Sequence, residues 1–206
     1  ANCPAPRTYF AHYYKRYLQF MDEPAITSND IVMLGNSLTE GGGDWNKRLG
    51  KDNIINRGIS GDVAMGIYDR LHQILPGKPK QIFLLIGVND ISHDLSTDSI
   101  VQMIEKNVTR IQRESAETKF YLQCMLPIEN SFNRYNKLTN KTYQIPEIND
   151  RLKALAKEKK IDFIDLYPLF TEKGTNVLRK ELTYDGLHLK EEGYKIWVDA
   201  IKKKMR

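Results

Sequence analysis

Four places in the chain present groups that could act on an ester. Ser37 follows the apolar run Ile31-Val32-Met33-Leu34 and Gly35; Gly58 and Asn89 end two further apolar runs; His188 lies three residues after Asp185. Acyl transfer to a serine needs a hydroxyl, a base to take its proton, a group to orient the base, and donors for the oxyanion. Ser37 supplies the hydroxyl. The spacing of Asp185 and His188 lets one turn bring the carboxylate to Nδ1 while Nε2 faces the serine. The backbone N–H groups of Ser37 and Gly58 and the side-chain amide of Asn89 are the candidate oxyanion donors. Gly58 is chosen because a missing side chain lets backbone approach a ligand. A Gly-Asn-Ser tripeptide by itself is ordinary turn material, so the reading rests on the combination. His93, four residues past Asn89, is the rival base; His12 and His72 read as packing or surface residues.

These groups are far apart in sequence, so a fold must gather them. Apolar runs at residues 31–34, 53–57, 81–86, 119–126 and 161–164 read as strands, the first buried on both faces as in a parallel sheet under helices. Helical spacing of apolar residues marks 8–20, 63–75, 100–111, 146–159 and 194–204, with a shorter turn at 45–49. Strand and helix alternate throughout, which predicts one α/β domain over 1–206 with a five-stranded parallel sheet. The commonest order, 2-1-3-4-5, sets the strand before Ser37 between those before Gly58 and Asn89, so three motifs meet on one rim.

Residues 1–28 read as an N-terminal helical extension whose stripe of Tyr9, Phe10, Tyr13, Tyr14, Tyr17 and Phe20 packs on the domain. The polar stretch 128–141 leaves the rim end of the fourth strand, and its Phe132, Arg134 and Tyr135 are candidate substrate-binding residues.

Composition narrows the partners. A net charge of +5 comes from basic residues scattered among acids, with no nucleic-acid recognition module, so nucleic acid is not an expected partner. No apolar stretch approaches the ~18 residues of a membrane span. Gly41-Gly42-Gly43 lacks the Gly-Lys-Ser/Thr of a phosphate loop, which argues against a nucleotide-binding relative of flavodoxin. Cys3 and Cys124 make neither a disulfide framework nor a metal site, and Cys124, inside an apolar run, reads as a small buried hydrophobe. The sequence starts at Ala1, a slight pointer to export, and Asn107 and Asn140 sit in short glycosylation-type patterns. The oligomeric state is not readable from this pattern.

Taken in order, Gly35-Asn36-Ser37-Leu38, the Gly58 block Asn56-Arg57-Gly58-Ile59-Ser60-Gly61-Asp62, Gly87-Val88-Asn89-Asp90 and Asp185-Gly186-Leu187-His188 resemble the SGNH hydrolases of the GDSL esterase/lipase superfamily. The second and third blocks are most similar to the branch of platelet-activating-factor acetylhydrolases and lysophospholipase-like esterases. The resemblance implies a flavodoxin-like three-layer α/β/α sandwich and a cofactor-free, metal-free esterase. It implies Ser37 as nucleophile, His188 as base and Asp185 as its orienter, with Ser37, Gly58 and Asn89 as the oxyanion hole. It also implies a short acyl group, such as acetyl, carried by a sugar or lipid alcohol. Asn36 stands where the family usually has aspartate, and asparagine can hold the same turn by hydrogen bonding. The contrasting expectation is a carbohydrate- or lipid-binding module that kept the fold without the reaction.

Overall fold

Five short strands, the central ones apolar and covered on both faces, make one parallel sheet in the order β2-β1-β3-β4-β5. They are β1 (Ile31–Gly35), β2 (Ile54–Gly58), β3 (Gln81–Leu85), β4 (Lys119–Gln123) and β5 (Asp162–Ile164). The computed structural model describes residues 7–206; Cys3 and the rest of the Pro-containing start lie outside the described residues.

The pleat divides every central strand between two cores. Val32, Leu34, Ile82 and Leu84 face one side with Ile67, Ile104 and Ile148, brought by α4 (Ala64–Tyr68), α6 (Thr97–Glu114) and α7 (Gln144–Lys159). Ile31, Met33, Phe83 and Leu85 face the other, with Trp45 of α3 (Trp45–Leu49), Phe170 of α8 (Tyr167–Phe170) and Trp197 of α9 (Glu191–Lys202). The two indoles meet edge to face with ring centroids 5.0 Å apart. Two covered faces explain why these strands read as unbroken apolar runs. The result is the three-layer α/β/α arrangement that the family resemblance implies, on the parallel sheet that the alternation predicts.

The expected helix over 63–75 is broken. After α4 the chain makes two 3₁₀ turns, Leu71–Gln73 and Leu75–Gly77, and the break falls at Arg70, whose φ is −120°. Ile67, Leu71, Ile74 and Leu75 are all buried nonetheless. Periodicity reports burial, and burial is satisfied; the backbone bends to send the Arg70 side chain under the sheet's rim.

The N-terminal stripe is too wide for one contact face. In α1 (Ala11–Asp22), Tyr13 and Phe20 are buried against Ile59 with Tyr9 and Tyr17 alongside, while Phe10 and Tyr14 are each 40% exposed. The helix is fastened by polar bonds as well. Tyr13 donates to the Gly66 carbonyl (2.6 Å), Arg16 donates to the Gly58 carbonyl (3.0 Å from Nη2), and His12 Nε2 lies 2.7 Å from Glu40. Cys124 is buried, accepts the Leu166 N–H (3.1 Å), and burial pushes its thiol up to about 12. Asn107 is buried too and donates to the Ala64 carbonyl (2.9 Å), which leaves it inaccessible as a glycosylation acceptor.

Candidate active site

The rim where β1, β2 and β3 end gathers the reactive groups. Asn36 caps α2 (Ser37–Gly41), its Oδ1 accepting the Leu38 N–H at 3.1 Å, so the asparagine holds the turn that starts the helix on Ser37. Gly35 just before it has no room for a side chain: a Cβ would sit 2.4 Å from Thr39 Oγ1 and 2.5 Å from the Leu85 carbonyl.

His188 comes from a loop built around its own neighbours. Thr183 Oγ1 donates to the His188 carbonyl (2.6 Å) and accepts the Gly186 N–H (2.9 Å), closing the turn. Gly186 has φ +94°, and a Cβ there would meet the Glu129 carbonyl at 2.1 Å. Asp185 Oδ1 accepts the N–H groups of Leu187 (2.9 Å) and His188 (2.7 Å), which aims Oδ2 at the ring. Oδ2 lies 2.6 Å from His188 Nδ1, and Nε2 lies 2.9 Å from Ser37 Oγ. A hydroxyl and an imidazole separated by 151 positions are therefore in hydrogen-bonding contact. His93 is exposed at the end of α5 (Val88–Ser92), His72 bonds Tyr17 and His12 bonds Glu40.

Tyr135 takes a place that spacing does not announce. Its hydroxyl donates to Asp185 Oδ2 (2.7 Å) and lies 3.0 Å from His188 Nδ1, on the side of the ring away from Ser37. Burial alone would raise the Asp185 carboxyl. The bonds from Tyr135, His188 and the Leu187 and His188 amides outweigh it and hold the group down to about 2. The acid is thus ionised at neutral pH. Phe132 is half-buried against Gly186, and Arg134 is exposed. The stretch they belong to also touches the loop of Asp185 and His188 through the Glu129 N–H, which donates to the Gly186 carbonyl (2.9 Å).

Gly58 departs from its expected role. Its N–H is already bonded to Asn56 Oδ1 (2.9 Å), and a Cβ on it would lie 2.1 Å from the Glu40 nitrogen. The missing side chain serves close packing of β2 on α2, not approach to a ligand. In the turn that follows, Ile59 N–H goes to Gly35, Ser60 N–H to Glu40 and Asp62 N–H to Ile59. Gly61 N–H has no acceptor among the described residues. The Ser37 N–H has none there either, and Asn89 donates one amide hydrogen to the Asp62 carbonyl (2.9 Å), keeping the other.

Beneath the rim, Asp62 and Asp90 are buried, at 0% and 1% exposure. Burial pushes Asp62 up to about 6 despite Arg70. It pushes Asp90 up to about 7, helped by the Asp62 charge and opposed by the Ala64 N–H. In an unfolded chain Asp90 titrates near 3.8, so between about 4 and 7 the folded protein binds the extra proton. Stability must therefore fall as pH rises through that window and level off above it. Asp90→Asn keeps the acceptor for Ala64 and removes the titration. In urea unfolding at pH 5 and pH 8, the variant is expected to gain on the parent at the higher pH, by at most about 3 kcal/mol. An equal difference at both values would contradict a buried, protonating Asp90.

A model of the GDSL-like Lipase/Acylhydrolase family matches residues 33–196. A GDSL-like lipase from Bacteroides thetaiotaomicron superposes with a TM-score of 0.82 at 24% identity, covering 95% of this chain and 97% of that one. An acetylxylan esterase from Geobacillus stearothermophilus superposes at 0.70 with 16% identity, covering 87% and 95%. An N-acylneuraminate cytidylyltransferase from Escherichia coli O18:K1:H7 is 26% identical over 177 residues; the match takes in 84% of this chain but 39% of that protein's length. Since the family match runs from within β1 into α9, taking in every strand of the sheet, this chain belongs to the GDSL-like lipase/acylhydrolase family and is an ester hydrolase.

Proposed function

We propose that the chain is a serine esterase that removes short acyl groups, acetyl foremost, from a hydroxyl of a sugar. In this reading His188 Nε2 takes the proton of Ser37 Oγ as the hydroxyl attacks the ester carbonyl. Asp185 holds the ring and stabilises the imidazolium. The oxyanion is met by the Ser37 N–H, the free amide hydrogen of Asn89 and, in place of Gly58, the Gly61 N–H. His188 then protonates the departing alcohol, and water attacks the acyl-serine by the same route in reverse. The observation that carries the reading is the 2.9 Å contact of Ser37 Oγ with an imidazole whose other nitrogen is tied to a carboxylate.

The sugar preference over a lipid alcohol is supported by names among the relatives, an acetylxylan esterase and an N-acylneuraminate cytidylyltransferase. A fluorophosphonate probe is expected to label Ser37. A panel of O-acetylated neuraminates, acetylated xylo-oligosaccharides, lysophospholipids and p-nitrophenyl esters of rising chain length is expected to favour the acetylated sugars. Labelling with lysophospholipids as the better substrates would move the alcohol to the lipid class. No labelling of folded protein would support the silent binding module.

A further inference from the structure

Arg70 is fully buried, as is its partner Asp62, and its guanidinium bonds three separate chain segments. Nε donates to Asp62 Oδ2 (3.0 Å), with Nη2 2.9 Å from the same oxygen; Nη1 donates to the Arg57 carbonyl (2.9 Å), and Nη2 donates to the Gly35 carbonyl (3.1 Å). Gly35 is two residues before Ser37 at the end of β1, Arg57 is next to the end of β2, and Asp62 directly follows Gly61. The Asp62 carbonyl in turn receives Asn89 Nδ2 from beyond β3 (2.9 Å). Every segment carrying a candidate oxyanion donor is therefore fastened, directly or through Asp62, to one side chain. We propose that Arg70 is a positioning residue of the oxyanion hole, acting through Asp62 and the strand-end carbonyls to hold the Ser37, Gly61 and Asn89 donors in one register.

Three features favour positioning over simple support. A buried ion pair is a poor source of stability, because desolvating both charges offsets most of their attraction. The planar fork suits acceptors in three directions, which a lysine ammonium on a single flexible stem cannot serve together. The surroundings also make room for the pair: a Cβ on Gly66 would lie 1.8 Å from Asp62 Oδ1, and the helix expected over 63–75 breaks at Arg70 itself. Oxyanion donors work only when fixed where charge develops, so loss of register should appear in turnover rather than in binding.

The proposal rests on the serine esterase reading, and p-nitrophenyl acetate hydrolysis by the native protein, Ser37→Ala, Arg70→Lys, Asp62→Asn and Asn89→Ala separates the two. Ser37→Ala tests the reading; if it retains native turnover, both fall. With Ser37→Ala inactive, Arg70→Lys is expected to lose roughly 10- to 100-fold in kcat with KM within about twofold. Asp62→Asn, which keeps the carbonyl for Asn89, should lose kcat in the same manner. Adding Asn89→Ala to Arg70→Lys should cost much less than it costs the native protein, since both changes damage one unit. Native kcat in a folded Arg70→Lys, or full additivity with Asn89→Ala, would overturn the proposal. So would failure of both Arg70→Lys and Asp62→Asn to fold by circular dichroism, which would leave the pair a purely structural role.

Discussion

Ser37→Ala is expected to reduce turnover of p-nitrophenyl acetate on the order of 10⁶-fold, the scale seen when a triad serine is removed. The loss is large because no other group can take over. The Ser37 Oγ is the atom His188 Nε2 contacts, and without it the base has only water to activate. Residual catalysis should come from the oxyanion donors alone, since Asn89 and the Gly61 turn are untouched by the change. KM should move little, because alanine removes one oxygen at the start of α2 and leaves the Asn36 cap intact. Steady-state kinetics on protein purified free of host esterases makes the measurement. Activity within tenfold of native would mean that ester cleavage runs through another nucleophile.

Asn89→Ala carries the next largest expectation, a fall of roughly 10²- to 10³-fold in kcat, the range for loss of one oxyanion donor. It should leave fluorophosphonate labelling of Ser37 detectable, since nucleophile and base remain in contact. The residue also fastens the Asp62 carbonyl. A loss of stability of about 1–3 kcal/mol is therefore expected if that acceptor is left without a partner, seen as a lowered Tm. The two effects separate by readout: kcat reports the oxyanion donor and thermal unfolding reports the bond to the Asp62 carbonyl. A variant with native kcat and lowered Tm would assign Asn89 to structure alone.

The sheet and its rim were readable because each of the first three strands is an apolar run closed by a residue that chemistry could use. Ile31 to Gly35, Ile54 to Gly58 and Gln81 to Leu85 end at one edge, and parallel order brings Ser37, Asn89 and the Gly58 turn together. Asp185 and His188 were legible from spacing, since three positions make one turn. The missed features depend on side-chain hydrogen bonds that leave no periodic trace. Gly58 reads as a donor because of its missing side chain, but Asn56, two residues earlier, holds its amide, and in the same turn it is the Gly61 N–H that has no acceptor among the described residues. Arg70 sits among apolar residues at helical spacing, where an arginine reads as the solvent side; its burial follows from acceptors contributed by residues 35, 57 and 62. Tyr135 lay in a polar stretch whose residue types suggested contact with substrate, and nothing local tells that its hydroxyl reaches Asp185.

The Tyr135 contact bears on how specificity in this scaffold can be changed. Residues 128–141 are the natural place to exchange loops, since they border Asp185 and His188 without belonging to the sheet. A graft that recruits a different alcohol must nevertheless deliver a phenol, or another donor of that reach, to the far oxygen of the carboxylate. Under the serine esterase reading, shape and reactivity are therefore written into one segment, and diversification there can vary its length and its tip more freely than position 135.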